Sequence, residues 1–111
     1  MKYILLHRLE LWLLHLMELL SLELPDDLSI ARVEEYKNHV ISQIDNVTKV
    51  TINDEKLIKI DTVGVQLLLA MIHHLLAKGI EVEWQIRSSI LIESIKQLGL
   101  ASSELSRYLN Q

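Results

Sequence analysis

The stretch Ile60-Asp61-Thr62-Val63-Gly64 places a carboxylate beside a hydroxyl, directly before a long apolar run. Asp and Thr are favoured at the start of a helix because their side-chain oxygens accept hydrogen bonds from its free N–H groups. Those N–H groups and the helix dipole also favour a phosphate at the same place. The pair is therefore interpreted either as a simple helix cap or as the working part of the protein.

Five histidines raise the question of a metal site. His73 and His74 are adjacent and point to different sides of a helix, whereas two ligands on one face need a spacing of three or four residues. His7 and His15 are too far apart along a helix to bind the same ion. We predict no metal site and no cofactor.

Catalytic patterns are also missing from the sequence. There is no cysteine, no Walker-type loop, no glycine-rich dinucleotide turn and no nucleophile elbow. Carboxylates are paired at Asp26-Asp27 and Glu34-Glu35, but neighbouring residues on a cap or helix do not converge on a substrate. We predict that the protein is not an enzyme.

The chain has the length, composition and charge of one compact acidic domain. It contains 111 residues, half of them hydrophobic, with a formal net charge of −4. That charge argues against nucleic acid as a partner, since binding a phosphate backbone normally needs a basic patch. The lack of cysteine fits a reducing compartment, so we expect a cytoplasmic protein.

The leucine-rich N-terminus superficially resembles a membrane segment. Arg8, Glu10, His15 and Glu18 interrupt it, and each is costly in hydrocarbon, so we predict no membrane insertion. These residues and His7 fall within one arc of a helical wheel, which favours an amphipathic helix. We therefore divide the chain into a helical extension, 1–18, and a domain, 19–111. Such a helix must bury its apolar side, either on an open sheet face or against a second copy, and we expect a homodimer contact.

Strand and helix patterns alternate through the rest of the chain. The predicted strands are 19–25, 47–53, 57–60 and 80–85. The first predicted helix is 26–45, with Asp27 or Ser29 as its cap. The second is 63–78, ending at Gly79, and the third runs from Ser88 or Ser89 to Gly99. This order indicates β-α-β units with right-handed crossovers and some parallel pairing. The fold class is therefore α/β: a small mixed sheet with helices mainly on one face, and the extra N-terminal helix.

Three segments together resemble the STAS domain family, named for sulphate transporters and anti-sigma-factor antagonists. "IDTVGVQLLLAMIHHLLAKGIEVEWQ" is similar to the family's strand, Asp-Ser/Thr-x-Gly-Leu motif, leucine-rich helix, glycine and strand. "SSILIESIKQLGL" resembles the helix that follows, and "LELPDDLSIARVEEYKNHV" resembles the first strand and helix. The resemblance covers about residues 19–106.

The resemblance implies a protein-binding module rather than an enzyme. In the anti-sigma factor antagonists, a partner kinase phosphorylates the Ser or Thr after the motif aspartate. That kinase is itself the anti-sigma factor, and it binds the unphosphorylated form of the antagonist. The matching residue here is Thr62. Val63 stands where a second Ser, or Ala, is usual, which leaves the phosphorylation open, and Val65 replaces the common Leu.

Two other branches of the family resemble the chain about as well. One comprises small STAS proteins bound to the ATPase of a phospholipid-transporting ABC system, and the other comprises short STAS proteins associated with bacterial chemotaxis. Neither requires a phosphorylation switch.

The helix after the motif predicts a surface for the partner. On a helical wheel its outward arc has small residues and few charges, which lets a partner helix approach, while Val63, Leu67, Leu68, Met71, Ile72 and Leu75 point inward. The predicted partner-binding residues are Asp61, Thr62, Gly64, Gln66, Ala70 and His73.

Overall fold

The computed structural model describes residues 18–101 and 103–109. The predicted N-terminal helix, 1–18, lies outside these residues except for Glu18, which begins the first strand. The elements are β1 Glu18–Glu23, β2 Asp27–Leu28, α1 Val33–Gln43, β3 Val47–Asn53, β4 Lys59–Ile60, α2 Thr62–Ala77, β5 Glu81–Trp84, α3 Ser89–Gln97 and a 3-10 helix, Glu104–Tyr108.

The described strands form two separate parallel sheets. The larger has the order β1-β3-β5, and the smaller pairs β2 with β4. A mixed sheet was predicted, but every pairing among the described strands is parallel. The reason is that each connection from β1 to β3 and from β3 to β5 contains a helix, which returns the chain to the edge where the previous strand began.

The larger sheet has one buried face and one exposed face. In β3, Val50 and Ile52 are buried whereas Thr51 and Asn53 are exposed. Ile52 pairs in register with Leu22 and Trp84, which are also buried. Right-handed crossovers place α1 and α2 on the same side of such a sheet, so among the described residues the helices cover one face, as predicted.

The ends of α2 and α3 follow the sequence prediction closely. Asp61 is the N-cap of α2, and Gly79 follows its last turn with φ of 75°, a left-handed conformation that favours glycine. Ser88 caps α3 by accepting a hydrogen bond from the Leu91 N–H at 3.2 Å, and Gly99 follows with φ of 69°. Local capping preferences therefore fix both helix boundaries.

The first helix was predicted wrongly at its start. Asp27 and Leu28 pair with Lys59 and Ile60 as β2 and β4, so α1 begins only at Val33, after the 29–32 loop. The N-cap is Arg32, without a side-chain cap, whereas Asp27 accepts a hydrogen bond from the Ser29 N–H at 2.9 Å. Pairing with a distant strand overrides the local helical pattern there.

Two aliphatic residues of the segment predicted as this helix are exposed. Ile30 is 70% exposed in the loop before α1, and Ile41 is 56% exposed within it. Tyr36 and Val40 are buried. The late start of α1 removes Ile30 from the helix face.

Candidate functional site

The carboxylate of Asp61 joins two distant parts of the chain. One oxygen accepts a hydrogen bond from the Gly64 N–H at 3.0 Å, which caps α2, and the other accepts from the Ile30 N–H at 2.8 Å. Ile30 lies just after β2, so this side chain ties the β2–α1 loop to the start of α2. A single carboxylate thus sets the shape of the site.

These hydrogen bonds stabilise the ionised form of Asp61. The Ile30 N–H and then the Gly64 N–H hold the pKa of its carboxyl below the ordinary value, while desolvation and the nearby carboxylate of Asp27 oppose the shift. Asp61 is therefore an anionic acceptor under neutral conditions.

Gly64 allows α2 to approach the smaller sheet closely. It is buried, and a Cβ built on it would collide with the backbone carbonyl oxygen of Leu28 and come within 2.8 Å of an Ile60 side-chain carbon. A backbone oxygen cannot move aside as a flexible side chain can. Gly64 thus serves packing within the domain, and its side of the helix is not part of the exposed surface.

Thr62 is the first residue of α2, and its side chain is exposed. The capping oxygens come from Asp61, so the helix start does not depend on the Thr62 hydroxyl. A group attached to that hydroxyl would point toward solvent beside the positive end of the helix dipole.

The outward face of α2 contains the other predicted partner-binding residues. Gln66, Ala70 and His73 are exposed and lie on successive turns after Thr62. Val63 is also 37% exposed, although we expected it to point inward.

His73 links this face to the C-terminal segment. Its Nε2 atom lies 3.3 Å from a carboxylate oxygen of Glu104, in the 3-10 helix. The contact becomes an ion pair when the imidazole is protonated. His73 therefore joins the exposed stripe that begins at Thr62 to the 3-10 helix.

Exposed apolar residues also flank the Asp61-Thr62 pair. Ile30, whose N–H binds Asp61, is 70% exposed, and Ile58, just before β4, is 68% exposed. With Val63 they give the start of α2 an apolar border. Isolated exposed aliphatic residues are common, but several beside one helix start are typical of a protein-binding surface.

An apolar groove runs between α1 and α2 on the helical side of the domain. Its volume is about 210 Å³, and its walls include Tyr36, Val40 and Ile41 from α1 and Leu67, Ala70 and Met71 from α2. Ala70 belongs both to this groove and to the outward face of α2. The Tyr36 hydroxyl is buried without a hydrogen-bond partner, and burial raises its pKa.

The described residues contain neither a cluster of metal ligands nor a membrane-spanning helix. Within 18–101 and 103–109, no three His, Asp or Glu side chains lie together as metal ligands would. Over the same ranges, no helix has the length and apolar character needed to cross a membrane.

Sequence reasoning missed the partners that hold the site together. Ile30 donates to Asp61 from 31 residues away, and the Leu28 carbonyl packs against Gly64. Both contacts involve backbone atoms, which are the same for almost every residue type. The pairing of the short strands β2 and β4 creates these two contacts. No local sequence pattern predicts that pairing.

Comparison with protein families and curated proteins gives one match. The family model of the STAS domain matches residues 15–108. No curated protein matches the sequence.

Two solved structures are similar to the chain. One is described as the Bacillus cell fate determinant SpoIIAA in its phosphorylated form, with 22% identity, a TM-score of 0.59, and coverage of 81% of this chain and 78% of that one. The other is the anti-sigma factor antagonist SpoIIAA in its unphosphorylated form, with 22% identity, a TM-score of 0.61, and coverage of 81% and 76%. At this identity the likeness establishes a shared fold.

Proposed function

Because the chain belongs to the STAS domain family, we propose that it is a non-catalytic protein-interaction module of the anti-sigma factor antagonist type. Its partner is a kinase-like anti-sigma factor, which binds the start and outward face of α2. Phosphorylation of Thr62 controls that association. The similar SpoIIAA structures, described in phosphorylated and unphosphorylated forms, support a switch of this kind.

The separation of roles between Asp61 and Thr62 carries this proposal. One carboxylate oxygen of Asp61 caps α2 and the other holds the Ile30 N–H. Thr62 is exposed beside this carboxylate. Modifying Thr62 therefore leaves the hydrogen bonds that position the site in place. A switch needs a residue of this kind, whose change alters the surface without unfolding the domain.

A phosphate on Thr62 would change binding through charge and hydration. It adds roughly −1.5 to −2 charge and strong acceptor oxygens beside the carboxylate of Asp61. The positive end of the α2 dipole favours this charge, so the isolated domain tolerates it. A partner that covers the apolar border of Ile30 and Val63 would have to desolvate the phosphate, which is costly without compensating donors.

Affinity capture with immobilised variants tests this function. The wild-type chain, Thr62→Ala and Thr62→Glu are each exposed to lysate of the source cells, and retained proteins are identified by mass spectrometry. We expect a kinase-like anti-sigma factor on the first two and its loss on Thr62→Glu. Retention of that partner on all three variants would reject the switch.

A constitutive regulatory subunit of a phospholipid-transporting ABC system is the second candidate. It is favoured by Val63, an exposed aliphatic residue next to Thr62, because an apolar neighbour suits a permanent contact. The same capture separates the two functions, since an ABC ATPase retained equally by all three variants would identify this one. A chemotaxis-associated partner would be recognised in the same way.

A further inference from the structure

We propose that the apolar groove between α1 and α2 binds a small apolar carboxylate of the size of a medium-chain fatty acid. The burial of the lining residues divides the groove into a floor and a rim. The floor is apolar and includes the buried residues Val40, Met71 and Leu75. The rim includes the exposed residues Lys37 and His74. An apolar floor with basic groups at its rim suits a ligand that has an apolar body and an anionic head.

The groove contributes no negative charge of its own. None of the described residues that line it is an Asp or a Glu. Burial raises the pKa of Tyr36, so the phenol in the groove wall is neutral. Two other clefts of the domain contain carboxylates, Asp54 and Glu83 in one and Asp27 and Glu35 in the other. An anionic ligand is therefore better accommodated in the groove than in either of these clefts.

The ammonium group of Lys37 is available to such a ligand. Its Nζ atom lies 3.8 Å from a carboxylate oxygen of Glu34, and the two side chains are 49% and 75% exposed. Ion pairs of this kind contribute little, because water screens the charges and both side chains lose freedom. A carboxylate bound in the groove can therefore approach Lys37 without breaking a strong contact.

The volume of the groove limits the size of the ligand. It is about 210 Å³, below the roughly 300–1,000 Å³ of sites for drug-sized molecules. An apolar cavity of about 150 Å³ accommodates benzene, so the groove has room for about eight carbon atoms. This size matches octanoate and excludes a membrane lipid with two long chains.

A ligand in the groove would lie beside the surface predicted to bind the partner. Ala70 lines the groove and is also one of the predicted partner-binding residues. The carboxylate would then compete with the partner for this part of α2. This consequence rests on the proposed function, whereas the site itself does not. The two fail separately, because ligand binding is measured in the purified chain with no partner present.

Titration of the isotope-labelled full-length chain with octanoate tests the site. Amide chemical shifts are followed by nuclear magnetic resonance, and we expect saturable changes centred on Val40, Leu67 and Met71. Octanol has the same chain length and no charge, and it should bind about fivefold more weakly, the ratio that one exposed ion pair supplies.

Removing the basic groups of the rim tests the role of charge. In the double variant Lys37→Gln and His74→Gln, octanoate and octanol should bind equally. Lys56→Gln is the matched control, because Lys56 also pairs with an exposed carboxylate, that of Glu23 at 3.3 Å, and does not line the groove. It should keep the preference for octanoate.

Enlarging a rim residue tests the location. Ala70→Phe should weaken octanoate binding about tenfold, because the ring occupies space in which the apolar chain is buried. Ala77→Phe, at an exposed alanine of the same helix outside the groove lining, should bind as the wild type does. Circular dichroism checks that each variant is folded. Absence of saturable binding, equal affinity of the wild type for octanoate and octanol, or binding that Ala70→Phe leaves unchanged would overturn the proposal.

Discussion

The carboxylate of Asp61 accepts a hydrogen bond from the backbone N–H of Ile30 at 2.8 Å, across 31 residues of sequence. Its other oxygen caps α2 at Gly64. The residue that looks like a local helix cap in the sequence is therefore also a long-range brace. Thr62, beside it, is left exposed.

This relationship predicts unequal effects of alanine on stability at the two neighbouring positions. Asp61→Ala should lower the free energy of unfolding by about 1–3 kcal/mol, because it removes the cap and leaves the Ile30 N–H without its acceptor. Thr62→Ala should change it by less than about 0.5 kcal/mol, as exposed substitutions usually do. Urea unfolding measures both, and equal losses would show that Thr62 shares the capping role.

The lowered pKa of Asp61 predicts a dependence of stability on pH. The folded state stabilises the ionised carboxylate through its hydrogen bonds. Its contribution to the free energy of unfolding is therefore fully present above the unfolded pKa of about 3.9 and is lost as the pH falls through the lower folded pKa. The difference in unfolding free energy between wild type and Asp61→Asn should therefore shrink on acidification below pH 4.

Chemical denaturation at a series of pH values measures this difference. Asp45→Asn, at an exposed residue of the turn before β3, is the matched control for loss of one carboxylate. If the difference in unfolding free energy between wild type and Asp61→Asn stayed constant with pH, the negative charge of Asp61 would not strengthen its hydrogen bonds.

Gly64→Ala should destabilise the domain. In a helix interior, alanine is normally better than glycine by about 1 kcal/mol. Here the added methyl group meets the Leu28 carbonyl, so we expect a net loss of about 1–3 kcal/mol, as for other overpacked sites. Thermal unfolding gives the sign directly.

Gly79→Ala provides a comparison of a different kind. No atom lies within 4 Å of an added Cβ there, and its cost arises from the positive φ alone. A stabilised Gly64→Ala variant would show that α2 and β2 are farther apart than the structure places them.

The apolar border of the site predicts the effect of Ile30→Ser on binding. Ile30 is 70% exposed, so its side chain contributes little to the core. If the partner covers Ile30, the substitution should weaken binding about tenfold. Losses above about 1 kcal/mol distinguish energetically important interface residues from neutral ones. Titration calorimetry with the captured partner measures this, and Leu98→Ser, at an exposed residue after α3, should leave affinity unchanged.

The sequence predicted the parts of the structure that depend on local chemistry. Asp61, Ser88, Gly79 and Gly99 mark helix ends as expected, because capping and positive φ are properties of single residues. The alternation in 47–53 likewise predicted the strand β3. The STAS resemblance through the Asp61–Gly64 motif was confirmed by the family match.

The sequence did not reveal what depends on distant pairing. Strand β2 has two residues, too few for a periodic pattern, yet its pairing with β4 delays α1 to Val33 and brings Ile30 to Asp61. Gly64 was assigned to the partner surface, but the close approach of Leu28 buries it. The contacts that brace the candidate site, Ile30 with Asp61 and Leu28 with Gly64, depend on the three-dimensional arrangement.

We propose that Thr62 accepts a phosphate that blocks partner binding while Asp61 keeps the fold intact. The most direct measurement incubates the chain with the captured kinase and ATP, maps phosphate by mass spectrometry, and measures binding and circular dichroism of the product. We predict phosphate on Thr62, an unchanged spectrum and loss of the complex. A chain that stays unmodified at Thr62, or that binds its partner equally well once phosphorylated there, would contradict the account.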